Sequence, residues 1–157
     1  MALAYTRRLN KELAEIHAGT PVGINLVNAD TFEKWLFTVE VMGTSEYEGE
    51  KFLLMFRFDN AYPISAPAVQ FVVDDTHKAP VHPHVYSNGH ICASILGREG
   101  WSPVLTVIAI CITIQSMLAS CKKKEQPSDN DRYVPRAPEN PKKARFHYHG
   151  TCWRSAA

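Results

Sequence analysis

One cysteine of the chain occupies a position from which it could act as a nucleophile. Cys92 follows the segment Ser87-Asn88-Gly89-His90-Ile91 late in a long loop. Cys111 and Cys121 lie on or at the end of an apolar segment, where a thiol usually packs as a small hydrophobic group, and Cys152 lies close to the chain end. Because a thiolate can attack a carbonyl carbon and carry the acyl group, we expect any covalent chemistry at Cys92.

The histidines near Cys92 allow two other interpretations of the loop, a metal site and the active site of a cysteine hydrolase. His82, His84 and His90 place imidazole donors within eleven residues of sequence that end at the thiol, which could bind a metal ion. Structural zinc sites, however, usually take paired ligands from two separated segments. A cysteine hydrolase is the second alternative, and it requires a base that forms the thiolate, an orienting group and access for water.

Two segments have the periodicity of helices. The first lies near the N-terminus and is followed by Gly19 and Pro21, which favour the end of a helix. The second, residues 106–120, is apolar on nearly every side; its β-branched residues favour a strand, but its length indicates a buried helix. The apolar positions at helical spacing in the first segment are Tyr5, Leu9, Leu13 and Ile16.

Alternating apolar residues between these helices predict a sheet. Residues 35–41, 52–58 and 69–73 each place large apolar side chains at every second position. Residues 43–49 are short enough for an antiparallel hairpin connection, and residues 24–27 predict a weaker strand at the edge. We expect an α+β fold, a four-stranded antiparallel meander with an N-terminal helix and a buried central helix.

Cys92 lies in the longest stretch without such periodicity, residues 74–101, which is rich in His, Pro, Gly, Asn and Ser. Loops of this length inside a compact domain are usually functional, because binding and catalytic groups are commonly carried on loops that a rigid scaffold positions. The sheet and the central helix are therefore expected to present this loop.

Length and composition indicate one folded domain followed by a tail. The chain has 157 residues, 45% hydrophobic and 21% charged, as in ordinary globular proteins. We expect a core over residues 1–130 and a basic, proline-rich tail over residues 131–157, either partly disordered or docked through Phe146, Tyr148 and Trp153. Residues 122–157 carry 9 basic and 4 acidic side chains but no dense basic run, so we expect no nucleic-acid partner.

Two segments and the cysteine spacing indicate where in the cell the chain is expected. Residues 1–10 have no uninterrupted apolar stretch of signal-peptide length, and charged residues and a proline break residues 91–114, so we expect neither secretion nor membrane insertion. The cysteines form no C-x-x-C pair and no compact disulfide framework, which favours free thiols in the cytoplasm or nucleus. Lys122–Lys124 permit nuclear entry without establishing it.

Four short motifs, taken together, resemble the ubiquitin-conjugating enzyme family. In order they are Tyr62-Pro63-Ile64-Ser65-Ala66-Pro67, His82-Pro83-His84, Gly89-His90-Ile91-Cys92 and Trp101-Ser102-Pro103. The family's landmarks are Y-P-x-x-P-P, H-P-N, a cysteine eight residues after that asparagine, and W-S-P. The resemblance runs from the first helix to about residue 130. It is strongest over residues 81–92, where the chain looks like the W-type branch that modifies protein N termini.

This resemblance implies the ubiquitin-conjugating-enzyme fold and the reaction of that family. Cys92 would accept ubiquitin as a thioester from an activating enzyme and pass it to a substrate amine with a ligase of the RING or U-box type. Exchange between two thiols needs no dedicated base, so no catalytic triad is required. No metal or organic cofactor is expected. An inactive ubiquitin-binding scaffold is a further alternative, but such variants typically lack the cysteine.

The chain departs from the family at His84, where most members have asparagine, and at Ser94, where many have aspartate. His84 could donate a ring N–H to the oxyanion that forms when an amine attacks the thioester. At pH 7 the neutral fraction of an α-amine exceeds that of a lysine by roughly two to three hundredfold. We therefore expect a preference for N-terminal α-amines, on substrates with flexible N termini.

The resemblance also implies roles for residues around the loop and on the far side of the fold. Asp129 would orient the incoming amine, although aspartate before asparagine also commonly marks a turn. His82, Pro83 and Asn88 are expected to shape the loop rather than react. Contact with the activating enzyme and the ligase is implied for a set on the first helix and two loops: Arg7, Lys11, Ile64, Pro103 and Val104.

Overall fold

The computed structural model describes residues 2–144, in which a long helix precedes a sheet and a second long helix follows it. The helices are α1 (Ala2–Ala18), α2 (Val107–Ala119) and the short α3 (Asn130–Tyr133). The strands are β1 (Ile24–Asn28), β2 (Lys34–Glu40), β3 (Lys51–Arg57) and β4 (Ala68–Phe71). Three single 3-10 turns lie at Ser94–Leu96, Val134–Arg136 and Pro141–Lys143.

The sheet is the predicted antiparallel meander, with strand order β1-β2-β3-β4. Trp35 is opposite Phe56, and Phe37 is opposite Leu54, so the apolar residues of β2 and β3 share one buried face. This register follows from the alternation in the sequence, because a shift by one residue would turn every large side chain to the solvent. The weaker strand is confirmed as the edge strand β1, paired with β2.

Helix α2 packs its apolar surface into the core, as predicted for residues 106–120. Val107, Ile110 and Ile114 are completely buried, and this burial outweighs the weak helix propensity of β-branched residues. The hydroxyl of Thr106 accepts a hydrogen bond from the N–H of Ala109 at 3.1 Å and caps the helix start. Leu9 and Ile16 of α1 are buried as well, in agreement with the helical spacing.

The chain beyond α2 remains in contact with the domain as far as it is described. Lys142 forms an ion pair with Asp59 at 3.0 Å, and Arg57 lies 3.8 Å from the Glu139 carboxylate. Helix α3 begins at residue 130, the predicted end of the core, and continues to residue 133. The division into residues 1–130 and 131–157 stays a prediction. The aromatic residues Phe146, Tyr148 and Trp153 lie outside the described residues. Across residues 2–144, no helix is both long and apolar enough to cross a lipid bilayer.

Candidate active site

The loop that carries Cys92 is folded back on itself as a small hairpin. The N–H of Cys92 donates to the carbonyl of His84 at 2.8 Å, Val85 pairs with Ile91, and the N–H of Tyr86 donates to the carbonyl of His90 at 2.9 Å. The predicted long loop is therefore not irregular around its cysteine. Residues 84–92, which we call the active hairpin, hold the Cys92 backbone at the end of a hydrogen-bonded ladder.

Gly89 allows the active hairpin to lie against the sheet. Its φ of +92° is in the left-handed region, and an added Cβ would come within 2.0 Å of the Phe71 carbonyl oxygen. The N–H of Phe71 in turn donates to the Gly89 carbonyl at 2.9 Å. The hairpin is thus anchored to β4 at the one residue type that permits so close an approach.

The Cys92 sulfur is in a disulfide bond in the structure, whereas Cys111 and Cys121 are free. The expectation of free thiols is therefore wrong for Cys92. The spacing of cysteines along the sequence indicates only disulfides between residues that are close in the chain. It therefore gave no sign of the disulfide at Cys92. Because a disulfide sulfur has no thiolate, acyl chemistry requires the reduced form. Cys111 is buried, and burial raises the pKa of its thiol, which makes it a poor nucleophile.

His82 and His84 lie at the open end of the active hairpin, where its first arm begins. His82 is 4% exposed; its Nδ1 accepts from the N–H of His84 at 2.9 Å, and its Nε2 lies 3.3 Å from the Met117 carbonyl. A carbonyl can only accept, so His82 is the neutral tautomer protonated at Nε2. Burial, followed by the nearby charge of His84, lowers the pKa of His82 to about 4. The intervening Pro83 has no N–H to satisfy.

His84 is partly exposed, and burial lowers the pKa of its imidazole. Its ring centroid lies 5.4 Å from that of His82. A neutral imidazole can still donate one ring N–H, which is the property that stabilisation of an oxyanion would need. The main-chain hydrogen bond from Cys92 places the backbones of His84 and the cysteine directly opposite each other on the hairpin.

Asn88 lies inside the turn of the active hairpin, whereas Asp129 contacts the hairpin from outside it. Asn88 accepts the N–H of His90 on its side-chain oxygen at 3.1 Å, inside the turn. Asp129 immediately precedes α3, and its carboxylate accepts the hydroxyl of Tyr86 at 3.1 Å and 3.2 Å. Tyr86 was not predicted as a site residue, because a tyrosine in a loop has no spacing signal that would pair it with a residue 43 positions later.

The predicted contact residues of α1 and of the loop before β4 line one groove. Arg7, Lys11 and Ile64 surround a cavity of about 820 Å³, and Ile64 is 76% exposed. Pro103 is joined to α1 through its carbonyl, which accepts from Arg8 at 2.7 Å, and Val104, the next residue in the chain, is 81% exposed. The structure therefore brings three of the five contact residues to one groove and joins a fourth, Pro103, to α1 through Arg8.

A buried carboxylate under this groove was not predicted. Glu12 is 3% exposed and accepts from Arg8 at 3.0 Å, from the N–H of Val107 at 2.8 Å and from the hydroxyl of Tyr62. It thereby joins α1 to the first residue of α2. The four-residue spacing of Arg8 and Glu12 is a weak signal for an ion pair, but nothing in the sequence indicates burial.

The arrangement of the loop side chains bears on the metal site and on the hydrolase site considered above. Within residues 2–144, no group of three or more His, Cys, Asp or Glu side chains is arranged to hold a metal ion. The ring nitrogens of His82 are engaged by Met117 and by the His84 backbone, and Nδ1 of His90 by the hydroxyl of Tyr133. Neither of these two rings is therefore set up as the general base that a cysteine hydrolase would need, which leaves His84 as the candidate base for that alternative.

Known proteins share this sequence and this fold. A family model described as ubiquitin-conjugating enzyme matches residues 8–148. Probable ubiquitin-conjugating enzyme E2 W-A of Danio rerio is 46% identical over 150 residues, which cover 93% of this chain and 97% of the relative. Ubiquitin-conjugating enzyme E2 W of Caenorhabditis elegans is 42% identical over 152 residues, covering 95% and 97% of the two chains.

A solved structure gives the same result. The crystal structure of ubiquitin conjugating enzyme E2 UbcA1 from Agrocybe aegerita superposes with a TM-score of 0.85 at 73% sequence identity. The match covers 87% of this chain and 96% of that chain. The similarity therefore extends over a whole domain rather than one motif.

Proposed function

The chain belongs to the ubiquitin-conjugating enzyme family, whose W branch includes relatives more than 40% identical to it, and we propose that Cys92 is the residue that carries ubiquitin. The observation that supports this most strongly is the hydrogen bond from the Cys92 N–H to the His84 carbonyl at 2.8 Å. It holds the cysteine at the end of an ordered hairpin and partly exposed, whereas Cys111 is enclosed in the core.

The proposed reaction has two acyl transfers. The Cys92 thiolate attacks the thioester carbonyl of ubiquitin on the activating enzyme; a new C–S bond forms, and the other enzyme's cysteine leaves as a thiolate. A neutral substrate amine then attacks the Cys92 thioester. The resulting oxyanion collapses to an amide, the amine loses a proton, and Cys92 leaves as a thiolate. The first step is nearly balanced because a thioester replaces a thioester.

A charging assay tests the assignment of Cys92. The reduced enzyme is mixed with activating enzyme, ATP and ubiquitin, and the adduct is followed on gels with and without thiol. We expect Cys92→Ala to form no adduct and Cys92→Ser to form one that resists thiol, since an oxygen ester replaces the thioester. Cys121→Ala and Cys152→Ala are the matched controls and should charge normally, as should Cys111→Ala once it is shown to be folded. An adduct on folded Cys92→Ala would refute the assignment.

We further propose that the preferred acceptor is an N-terminal α-amine. The resemblance to the W-type branch, which modifies protein N termini, supports this, and so does His84, which takes the place of the family's asparagine. An α-amine is already partly neutral at pH 7, whereas a lysine needs more help to lose its proton. In this proposal His84 donates a ring N–H to the oxyanion. Asp129, the residue immediately before α3, orients the amine.

Matched peptides test the acceptor preference. One peptide has a flexible free N-terminus and no lysine, the second is the same peptide acetylated, and the third is acetylated with one internal lysine. Charged enzyme should discharge to the first at least about a hundredfold faster than to the other two, the size of the difference in neutral amine. Equal discharge to the acetylated lysine peptide would contradict the preference.

His82, Pro83 and Asn88 are proposed to shape the active hairpin without reacting. The two contacts of the His82 ring and the contact of Asn88 with His90 support this. His82→Gln and Asn88→Ala should therefore slow charging and discharge together and lower the melting temperature, rather than change which amine is used.

The groove beside α1 is proposed as the surface for the activating enzyme and for a RING or U-box ligase. Exposed Ile64 and Val104 would supply apolar contacts, and Arg7 and Lys11 a positive rim. Ile64→Ala and Val104→Ala should abolish ligase-stimulated discharge while leaving intrinsic discharge intact. Val27→Ala removes a side chain that is 54% exposed on β1 and is the matched control. Unchanged stimulation in both groove variants would refute this surface.

A location in the cytoplasm or nucleus is proposed from the free thiols of Cys111 and Cys121, which suit a reducing compartment. In such a compartment Cys92 would be reduced and able to react. Fluorescent tagging of the full chain in cells tests this, and accumulation in a secretory compartment would contradict it.

A further inference from the structure

We propose that Tyr133 of α3 is a positioning residue for ubiquitin transfer, acting through its hydrogen bond to the imidazole of His90. This inference rests on the proposed role of Cys92. It concerns a residue outside the motifs that carry the family resemblance. Four observations around His90, Tyr86, Asn130 and Cys92 support it.

The His90 ring connects the active hairpin to the chain that follows α2. His90 is 3% exposed and stands two residues before Cys92. Its Nδ1 lies 2.7 Å from the hydroxyl of Tyr133, and the ring also hydrogen-bonds the backbone carbonyl of Glu139. Since that carbonyl can only accept, Nε2 carries the proton, and Nδ1 accepts from the Tyr133 hydroxyl.

Tyr133 contacts both arms of the active hairpin. Its ring stacks on Tyr86 with centroids 4.0 Å apart, and its hydroxyl reaches His90 on the opposite arm. The N–H of Tyr86 donates to the carbonyl of His90, so these two residues are themselves paired. Burial raises the pKa of the Tyr133 hydroxyl to about 12, which keeps it protonated as a donor. One side chain therefore braces the ladder at the level of its turn.

Asn130 supports the same turn from the preceding part of α3. Its side-chain oxygen accepts from the N–H of Ser87 at 2.9 Å, and its amide donates to the Ser87 hydroxyl at 3.1 Å. Asn130 is 7% exposed and is three residues before Tyr133, so the two project from the same side of the helix. Helix α3 thus holds three positions of the hairpin, residues 86, 87 and 90.

This brace matters for chemistry because the hairpin ladder ends at the reacting residue. Cys92 and His84 are joined across its open end, so a tilt of the turn moves the sulfur and the proposed oxyanion donor with it. Transfer to an amine needs the carbonyl, the amine and the donor aligned, and a displacement of about 1 Å can cost on the order of a hundredfold in rate. Thiol exchange during charging needs fewer groups to be aligned than transfer to an amine does, so charging should be less sensitive to the position of the hairpin.

Tyr133→Phe is the test, since it keeps the stacked ring and removes only the hydroxyl. We expect single-turnover discharge to a free N-terminal peptide to fall about three- to tenfold, the effect of one hydrogen bond. The extent of charging and the melting temperature should stay close to wild type. Tyr5→Phe is the matched control, because the hydroxyl of Tyr5 also donates a partly buried hydrogen bond, to the Phe32 carbonyl at 2.6 Å, far along the chain from the hairpin.

Two further readouts separate positioning from general stability. Nitrogen NMR of His90 should report protonation at Nε2 in the wild type and a shifted Nδ1 resonance in Tyr133→Phe. In addition, the double variant His90→Gln with Tyr133→Phe should discharge no more slowly than His90→Gln alone, because the two residues act through one bond.

The outcomes are distinguishable. If the wild type charges and Tyr133→Phe discharges at the wild-type rate, the positioning role is overturned while the role of Cys92 stands. If Tyr133→Phe slows charging and discharge equally and lowers the melting temperature by several degrees, Tyr133 is only structural, and the proposal is again overturned. If the reduced wild type never charges on Cys92, the proposed function fails and this proposal fails with it.

Discussion

The backbone N–H of Cys92 donates to the backbone carbonyl of His84 at 2.8 Å. This bond uses no side-chain atom of either residue, so the spacing between the cysteine and position 84 does not depend on which side chain stands there. A change from asparagine to histidine at position 84 can therefore alter the chemistry of the site without disturbing its frame. The N–H of His84 is held as well, by the side chain of His82, because it donates to the ring Nδ1 of that residue.

His84→Asn tests this separation of frame and chemistry. The main-chain bonds remain, so charging and melting temperature should be unchanged. The amide restored at position 84 should raise discharge to lysine by at least about tenfold, since one well-placed donor to an oxyanion is worth on the order of a hundredfold. Single-turnover discharge to the acetylated lysine peptide measures this. Unchanged lysine discharge would show that the residue at position 84 does not set the acceptor.

The disulfide at Cys92 leads to a second prediction. The oxidised protein cannot form a thioester because its sulfur is already bonded, so charging should be absent until the disulfide is reduced. Pre-incubation with a phosphine, which does not cleave the thioester product as a thiol would, should restore it. Mass spectrometry after alkylation reports the fraction of free Cys92. Full charging of protein whose Cys92 cannot be alkylated would contradict this prediction.

The parts of the molecule that follow from local sequence were predictable, and the parts that depend on long-range contacts were not. Residues 35–41 and 52–58 alternate with a period of two because one face of β2 and β3 is buried, and that alternation is visible in the sequence. The contacts of α3 join residues 43 positions apart, as in Tyr133 with His90, and leave no periodic trace. Cys92 could be singled out by its loop, but neither its disulfide nor its brace could.

Gly89→Ala should disrupt the active hairpin. The substitution combines a left-handed φ with an added carbon 2.0 Å from the Phe71 carbonyl, so the hairpin must move away from β4. We expect a drop in stability of more than about 2 kcal/mol and a fall in discharge of at least about tenfold. Gly43→Ala is the control, since Gly43 also has a positive φ, +79°, but an added carbon meets nothing within 4 Å. Equal effects of the two changes would refute this account.

Glu12→Ala should be strongly destabilising. The substitution leaves the Arg8 guanidinium, the Tyr62 hydroxyl and the Val107 N–H without their shared acceptor in a buried site. The expected loss is about 3 kcal/mol in the free energy of unfolding, measured with urea. Glu15→Ala, at an exposed position of the same helix, should change it by less than about 0.5 kcal/mol. A loss below 1 kcal/mol for Glu12→Ala would mean that water replaces the carboxylate.

The buried histidine His82 should make the protein less stable as the pH falls. Its pKa is lowered by burial to about 4 in the folded state, against 6.5 for an unperturbed histidine, so the unfolded chain binds the proton more readily. The resulting stability is fully present above about pH 6.5 and is lost as the pH falls toward 4, a change of about 2–3 kcal/mol. His84 and His90, whose pKa values are also lowered by burial, act in the same direction.

Urea unfolding at pH 7, 5.5 and 4.5 measures this dependence. His82→Gln should be less stable than the wild type at pH 7 but should lose less stability on acidification, because it no longer has a proton to take up. His17→Gln, at an exposed position of α1, should show the wild-type slope. The sign is decisive: a wild type that gains stability between pH 7 and 4.5, or a His82→Gln variant with an unchanged slope, would show that His82 is not held neutral by burial.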